Sequence, residues 1–186
     1  MLRLFTGIAV PPAINLRLDD LIRRLKPLGR IRWSPASNFH ITTKFIGAWP
    51  QDRLDMMTQA LAILQGSGPF HITVRGLGFY PHARAPRILW AGIDGGARLT
   101  GLASRTDEAC AKLGVKPEKK SYSPHLTLAR IAPDGNARSG LDALNEALVA
   151  ERNPEFGEFD AGGFHLYQSQ PGPHGSVYTS LAEFPL

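Results

Sequence analysis

The sequence of 186 residues predicts an α+β fold in which two βαβαβ-like lobes are related by a pseudo-two-fold axis. Two observations lead to this prediction. Segments with the two-residue period of strands alternate with segments whose apolar residues share one face of a helix. The pattern then starts again, because LFTGI at 4–8 resembles LWAGI at 89–93, an offset of 85 (89 − 4). Such a repeat indicates two copies of one structural unit.

The first half predicts strand, helix, strand, helix and strand. A strand over 2–10 is followed by Pro11 and Pro12, which favour the first turn of a helix. The second strand surrounds His40, and the third covers 70–80. The segment 80–87 is rich in proline and predicts a connection. The apolar helix faces are Ile14, Leu18, Leu21, Ile22 and Leu25, and then Leu54, Met57, Leu61 and Leu64.

The second half repeats this order and adds closing strands. Its predicted strands are 88–93, 124–131, 156–167 and 177–184. Its helix faces carry Leu99, Leu102, Thr106, Ala109, Cys110 and Leu113, and then Leu141, Leu144 and Leu148. We therefore expect a single bilobal domain over residues 1–186, with repeat-derived halves at about 1–80 and 87–186 and a connection at about 80–87.

Composition narrows the class of protein. An apolar fraction of 43% and a charged fraction of 20% are ordinary for a soluble globular chain. The net charge of +5 mildly favours anionic partners such as nucleic acid. The single cysteine excludes an internal disulfide and a multi-cysteine metal site. The apolar run at the N-terminus is short and broken by two prolines, so we expect a cytoplasmic protein without a membrane partner. Nothing in the sequence indicates an obligate oligomer, and we expect a monomer.

Three strand-like segments carry a histidine followed two residues later by a threonine: His40 and Thr42, His71 and Thr73, and His125 and Thr127. Side chains at i and i+2 of a strand project from the same face. His40 maps onto His125 at the repeat offset (125 − 40 = 85), whereas His71 maps onto Phe156. We therefore expect His40 and His125 to face each other near the symmetry axis, and His71 to lie on a solvated strand face.

Two facing histidines with two hydroxyl groups suit in-line displacement at phosphorus. One imidazole takes a proton from the attacking water while the other, as imidazolium, protonates the leaving oxygen. The threonine hydroxyls hold the non-bridging oxygens. This chemistry requires no metal or other cofactor. Two histidines without a third histidine or paired carboxylates nearby also make a poor metal-ligand set.

The segments RWSPASNFHITTKFIG and SPHLTLARI resemble the two-histidine (2H) phosphoesterase superfamily, which is defined by paired His-x-[Ser/Thr]-x motifs. The closest branch is the RNA 2′,3′-cyclic phosphodiesterases, also called 2′-5′ RNA ligases. The resemblance extends to RLFTGIAVP, GLGFYP, RILWAGI and the region of Tyr167 and Tyr178. It implies two antiparallel sheets facing a central cleft, with helices outside. It also implies metal-independent hydrolysis of RNA 2′,3′-cyclic phosphate ends to 2′-phosphates, with reversible 2′-5′ ligation as a further reaction.

The resemblance also implies roles for individual residues. His40 would be the proton donor to O3′, and His125 the proton acceptor that activates water. Thr42 and Thr127 would bind substrate. Arg130 follows the second motif, as is common in this family, but strand parity directs it away from His125 unless a bulge intervenes. With a bulge, we expect Arg130 to contact substrate.

Other interpretations remain open. The basic loop 116–123 either meets RNA phosphates, with Tyr122 available for stacking, or is solvated. Phe5 and Trp90, at equivalent strand positions, are expected in the core. An alternative enzymatic interpretation keeps the same catalytic site but changes the substrate to small cyclic phosphates or 2′-5′-linked oligonucleotides. A non-catalytic RNA-binding module is the alternative from another class, although such a module has no need for a matched proton donor and acceptor.

Overall fold

The computed structural model describes residues 1–29, 31–132, 141–151, 153–173 and 175–186. Within these ranges the elements follow the predicted order of strands and helices, with additional short segments. They are β1 (Leu2–Ala9), α1 (Pro12–Leu25), β2 (Arg32–Trp33), β3 (His40–Trp49), α2 (Leu54–Ala62), β4 (Phe70–Tyr80), β5 (Ile88–Asp94), α3 (Gly96–Lys112), β6 (His125–Arg130), α4 (Leu141–Ala150), β7 (Glu155–Ala161), β8 (Gly163–Gly172) and β9 (Gly175–Pro185).

The strands form two antiparallel sheets, as predicted. Sheet A has the order β3-β1-β8-β9, and sheet B has the order β2-β6-β5-β4-β7. Every neighbouring pair in both sheets is antiparallel. The α+β prediction with two antiparallel sheets is therefore confirmed.

Each sheet takes strands from both halves of the sequence. Sheet B includes β2 and β4 from the first half, and sheet A is completed by β8 and β9 from the second. Strand β4 belongs to sheet B because it pairs with β5, the strand that follows it in the sequence; Phe79, for example, lies opposite Leu89. The amide of Arg87 donates a hydrogen bond of 2.8 Å to the carbonyl oxygen of Tyr80. The segment 80–87 is therefore the loop of a hairpin inside sheet B.

One predicted strand is wrong in its extent. The segment 156–167 was expected to be continuous, but β7 ends at Ala161 and β8 begins at Gly163. The two strands belong to different sheets, so the chain crosses from sheet B to sheet A at this point. The two-residue strand β2 was not predicted, because two residues are too few to show a strand period.

Helix α1 buries its whole predicted apolar face, and the other helices bury part of theirs. All five of the predicted apolar positions of α1 are buried, and α3 buries Leu99, Leu102, Thr106 and Cys110. Helix α1 packs against β7, and α3 packs against β3 and β4. The residues that line the central cleft come from strands, loops and a short 3-10 helix (Ala36–Asn38). Among the described residues, none of the helices combines the length and the apolar character needed to cross a lipid bilayer.

Candidate active site

A cleft of about 490 Å³ contains all five of the predicted site residues: His40, Thr42, His125, Thr127 and Arg130. The two histidines are the first residues of β3 and β6, and each threonine follows two positions later on the same strand. The size of the cleft is within the usual range for small-molecule sites. The four residues that the repeat relates, His40 with His125 and Thr42 with Thr127, therefore line one cleft.

Strand β3 contains a bulge directly after its histidine and threonine. Thr42 pairs with Gly7, but the preceding residue of β1, Thr6, pairs with Lys44. Thr43 is therefore an extra residue, and the following side chains exchange faces. In consequence Phe45 joins the cleft face, where its side chain is largely exposed at 61%.

Strand β6 carries the same bulge. Thr127 pairs with Trp90, but the preceding residue of β5, Leu89, pairs with Ala129, so Leu128 is the extra residue. The side chain of Arg130 consequently lies on the cleft face. This is the condition under which Arg130 was predicted to reach the site. The bulge belongs to the repeat, because positions 45 and 130 are also 85 apart (130 − 45).

Both histidines are oriented by a backbone carbonyl two residues earlier. Nδ1 of His40 lies 2.7 Å from the carbonyl oxygen of Asn38, and Nδ1 of His125 lies 2.8 Å from that of Ser123. A carbonyl oxygen only accepts hydrogen bonds, so Nδ1 of each ring carries the hydrogen. Nε2 is therefore the nitrogen that exchanges protons in both rings.

His40 lies in an aromatic environment. The centroid of its ring is 4.7 Å from that of Phe5 and 5.1 Å from that of Tyr178, which meets it edge-on. The pKa of His40 is lowered to about 4, chiefly by burial and to a smaller extent by the charges of His125 and Arg130, while the hydrogen bond to the Asn38 carbonyl opposes the shift. His40 is consequently uncharged near neutral pH in the empty cleft.

The threonine hydroxyls of the two motifs remain available. Thr42 and Thr127 are half-buried at the cleft, and their hydroxyls have no hydrogen-bond partner among the described residues. The neighbouring Thr43 differs, since its hydroxyl lies 2.7 Å from that of Thr6 in the interior. The bulge therefore separates an open hydroxyl from a structural one.

Tyr122 connects the basic loop to the first motif. Its hydroxyl donates a hydrogen bond of 2.8 Å to the carbonyl oxygen of Thr42, and burial raises the pKa of Tyr122 above its usual value. This contact differs from the predicted role of Tyr122 as a stacking platform. This hydrogen bond ties the loop before β6 to β3.

Sequence reasoning missed the aromatic walls of the cleft, formed by Phe45, Phe79, Tyr80, Trp90 and Tyr178. The family resemblance did include some of them, since it extends over GLGFYP and the region of Tyr178. Nothing in the strand period marked them as cleft residues.

The equivalence predicted for Phe5 and Trp90 is wrong. Thr42 pairs with Gly7, whereas its repeat equivalent Thr127 pairs with Trp90. Equivalent positions are therefore 83 residues apart in β1 and β5 (90 − 7), but 85 residues apart in β3 and β6. Because side chains alternate along a strand, this difference of two residues leaves Trp90 on the expected face of β5 but opposite a different residue of β6. Phe5 is buried, as predicted, whereas Trp90 lines the cleft.

His71 lies outside the cleft, on the exposed face of β4. Its Nδ1 is 3.2 Å from a carboxylate oxygen of Asp160, and its Nε2 is 3.3 Å from one of Glu158. These hydrogen bonds, with Asp160 first, raise the pKa of His71. The solvated-strand prediction for His71 is confirmed. Across the described ranges, these three residues included, no group of three or more His, Cys, Asp or Glu side chains could hold a metal ion.

Comparisons with known proteins identify the family of this chain. The family described as the 2′-5′ RNA ligase superfamily matches residues 10–173. The RNA 2′,3′-cyclic phosphodiesterase of Aquifex aeolicus is 31% identical over 189 residues, covering 99% of this chain and 97% of the relative. That of Archaeoglobus fulgidus is 28% identical over 184 residues, covering 98% and 99%.

Solved structures show the same fold. The protein TT0787 of Thermus thermophilus superposes with a TM-score of 0.80 at 26% identity, covering 99% of this chain and 97% of that one. Escherichia coli LigT, solved in complex with 3′-AMP, gives a TM-score of 0.77 at 22% identity, covering 100% and 98%. The resemblance noted in the sequence is thereby confirmed. The chain belongs to the 2′-5′ RNA ligase superfamily.

Proposed function

We propose that this protein hydrolyses the 2′,3′-cyclic phosphate end of RNA to a 2′-phosphate, with His40 as proton donor and His125 as proton acceptor. The observation that carries the proposal is the pair of imidazoles in one cleft, each with Nδ1 bound to a carbonyl and Nε2 left for proton transfer. The names of the relatives from Aquifex aeolicus and Archaeoglobus fulgidus support the same substrate.

The cleft offers polar groups suited to the cyclic phosphate. In the proposed complex the hydroxyls of Thr42 and Thr127 donate hydrogen bonds to the two non-bridging oxygens. Charge grows on these oxygens as phosphorus becomes five-coordinate, so donors already in position favour the transition state. The guanidinium of Arg130, on the same face, adds a positive charge that attracts the anion.

The bond changes balance with two imidazoles and one water. Nε2 of His125 takes a proton from the water as its oxygen bonds to phosphorus. The bond from phosphorus to O3′ breaks, and O3′ receives the proton from Nε2 of His40. The ester at O2′ remains, so the product is a 2′-phosphate and a free 3′-hydroxyl. Exchange with solvent then returns the proton from His125 and restores it to His40.

The acid role of His40 requires it to gain a proton when substrate binds. Its pKa of about 4 leaves it neutral near neutral pH in the empty cleft. An opposite charge within several ångströms favours the charged form of an imidazole, and the cyclic phosphate supplies that charge. Substrate binding and proton uptake by His40 are therefore coupled in this proposal.

The same site accounts for a second reaction. If the 5′-hydroxyl of another RNA takes the place of water, attack on the cyclic phosphate forms a 2′-5′ linkage with identical proton transfers. The description of the superfamily favours including this reversible ligation. One chain supplies all five side chains, so the proposal needs only a monomer, acting on RNA ends in the cytoplasm.

Product analysis tests the proposal. An oligonucleotide ending in a 2′,3′-cyclic phosphate is incubated with the protein, with and without chelator, and the product is identified by phosphorus NMR. We expect only the 2′-phosphate, at the same rate in both samples. A 3′-phosphate product or inhibition by chelator would contradict the mechanism. A nucleoside 3′,5′-cyclic phosphate and a 2′-5′-linked dinucleotide serve as alternative substrates, and binding of RNA without turnover would favour a non-catalytic module.

A further inference from the structure

A shallow outer groove of about 390 Å³ adjoins the cleft. Phe45 and Ile46 of β3 form one side, and residues 115–120 form the other. Phe45 lines both the outer groove and the cleft, so the two depressions are continuous at its ring. A largely exposed aromatic ring at such a junction is a suitable surface for stacking a base.

The outer groove is positively charged. Lys116, Lys119 and Lys120 line it, together with the acidic residue Glu118. The three lysines outnumber this one carboxylate, so the charged residues that line the groove carry a net charge of +2 (3 − 1). Within the described part of the chain, Lys116 and Lys119 form no ion pair. Their charges are therefore available to an anion.

Buried contacts hold the lysine loop in place. The side chain of Lys44 is 1% exposed, and its Nζ lies 2.5 Å from a carboxylate oxygen of Asp107. The same Nζ donates a hydrogen bond of 2.9 Å to the carbonyl oxygen of Lys116. At the other end of the loop, Nζ of Lys120 lies 3.1 Å from the hydroxyl of Tyr80, which lines the cleft. The lysines are thus presented from a fixed segment that reaches the cleft entrance.

We propose that the outer groove binds the RNA strand on the 5′ side of the cyclic phosphate, which makes oligonucleotide ends better substrates than nucleoside cyclic phosphates. This inference takes its substrate from the proposed function. A 2′,3′-cyclic phosphate closes the 3′ end of RNA, so the chain continues only through the 5′ oxygen of the terminal nucleotide. The preceding base stacks on Phe45, and Lys116 and Lys119 bind the preceding phosphates.

Binding of the reaction product tests the groove independently of catalysis. A labelled oligonucleotide carrying a terminal 2′-phosphate is titrated by fluorescence anisotropy at several salt concentrations. The proteins are the wild type, the double variant Lys116→Gln/Lys119→Gln, and Lys26→Gln, which removes an exposed charge after α1. We expect a several-fold rise in Kd for the double variant only. The slope of log Kd against log salt should fall by about 0.7 for each phosphate that a lysine no longer neutralises.

Kinetics with two substrates completes the test. We expect wild-type kcat/KM to be higher for the oligonucleotide than for the nucleoside cyclic phosphate, and the double variant to lower only the oligonucleotide value. Equal Kd and salt slope in wild type and double variant would overturn the inference, as would failure of the wild type to bind the oligonucleotide. Lysine-dependent binding without hydrolysis would instead overturn the proposed reaction and leave the groove supported.

Discussion

His40 and His125 make the same hydrogen bond, from Nδ1 to the carbonyl oxygen of the residue two positions earlier, at 2.7 and 2.8 Å. The equivalence follows from the repeat, which starts β3 and β6 with the same motif. Both rings are consequently fixed in one tautomer, with Nε2 as the proton-exchanging atom. The proposed donor and acceptor are thus built alike, and their roles are set by their surroundings.

The buried imidazole of His40 makes stability depend on pH. Because its folded pKa of about 4 lies below the ordinary 6.5, the unfolded chain binds the extra proton between these values. The stabilisation is complete above pH 6.5 and is lost as pH falls toward 4, by roughly 3 kcal/mol for this group. Urea unfolding should show a smaller loss on acidification for His40→Gln than for wild type. In contrast, His71→Gln should enlarge the loss, because the pKa of His71 is raised. Equal losses in wild type and His40→Gln would contradict the burial argument.

The pH dependence of a single-histidine variant identifies the proton donor. In His125→Ala, only His40 of the pair still titrates. If His40 donates and solvent takes the proton of the attacking water in place of His125, residual kcat/KM should fall by about tenfold per pH unit above the pKa of His40, because the protonated fraction falls at that rate. The measurement is the residual rate between about pH 5 and 8. A rate that is flat across this range would contradict donation by His40 with water as the nucleophile.

The open threonine hydroxyls should affect turnover, unlike the structural one beside them. Thr42→Val and Thr127→Val should each lower kcat on the order of 10²-fold, as for loss of one oxyanion donor. Thr→Ser at either position should restore most of the rate. Thr43→Val is the matched control, because it leaves the buried hydroxyl of Thr6 without a hydrogen-bond partner. It should lower the free energy of unfolding by about 1–3 kcal/mol with little change in kcat. A comparable loss of kcat in Thr43→Val would show that the effect is structural.

Arg130 should act on both substrate and His40. Removing its charge in Arg130→Gln should raise the pKa of His40, since Arg130 is one of the charges that lower it. It should also raise KM for the cyclic phosphate. NMR titration of the His40 ring and steady-state kinetics measure the two effects. Arg75→Gln, an exposed charge on β4 paired with Asp94 at 3.6 Å, is the control. An unchanged pKa in Arg130→Gln would mean that the guanidinium lies too far from the ring.

The paired motif could be predicted because it depends on local periodicity and on the repeat. Strand alternation places His40 and Thr42 on one face, and the offset of 85 selects His125 in preference to His71. The helix faces could be predicted for the same reason, because the spacing of apolar residues within one segment is enough to indicate which face of the helix is apolar.

The remaining features depend on which strand lies alongside, and sequence periodicity does not contain that information. The bulges at Thr43 and Leu128 appear only in the pairing with β1 and β5, yet they bring Phe45 and Arg130 to the cleft. The same holds for the position of Trp90, which results from the two-residue difference between the strand pairs. The placement of β4 in sheet B and of β8 in sheet A likewise depends on which strands pair, and not on the period within each strand.

The most direct test of the central claim is kcat/KM for a 2′,3′-cyclic phosphate end in His40→Ala, His125→Ala, their double variant and His71→Ala. We expect each of the first two to lose at least about 10²-fold, as for removal of an acid or a base. The double variant should lose little more, because the two groups act as one unit. His71→Ala, outside the cleft, should remain near wild type. Near-normal activity in either of the first two variants, or a loss in His71→Ala as large as theirs, would contradict the assignment of His40 and His125 as the catalytic pair.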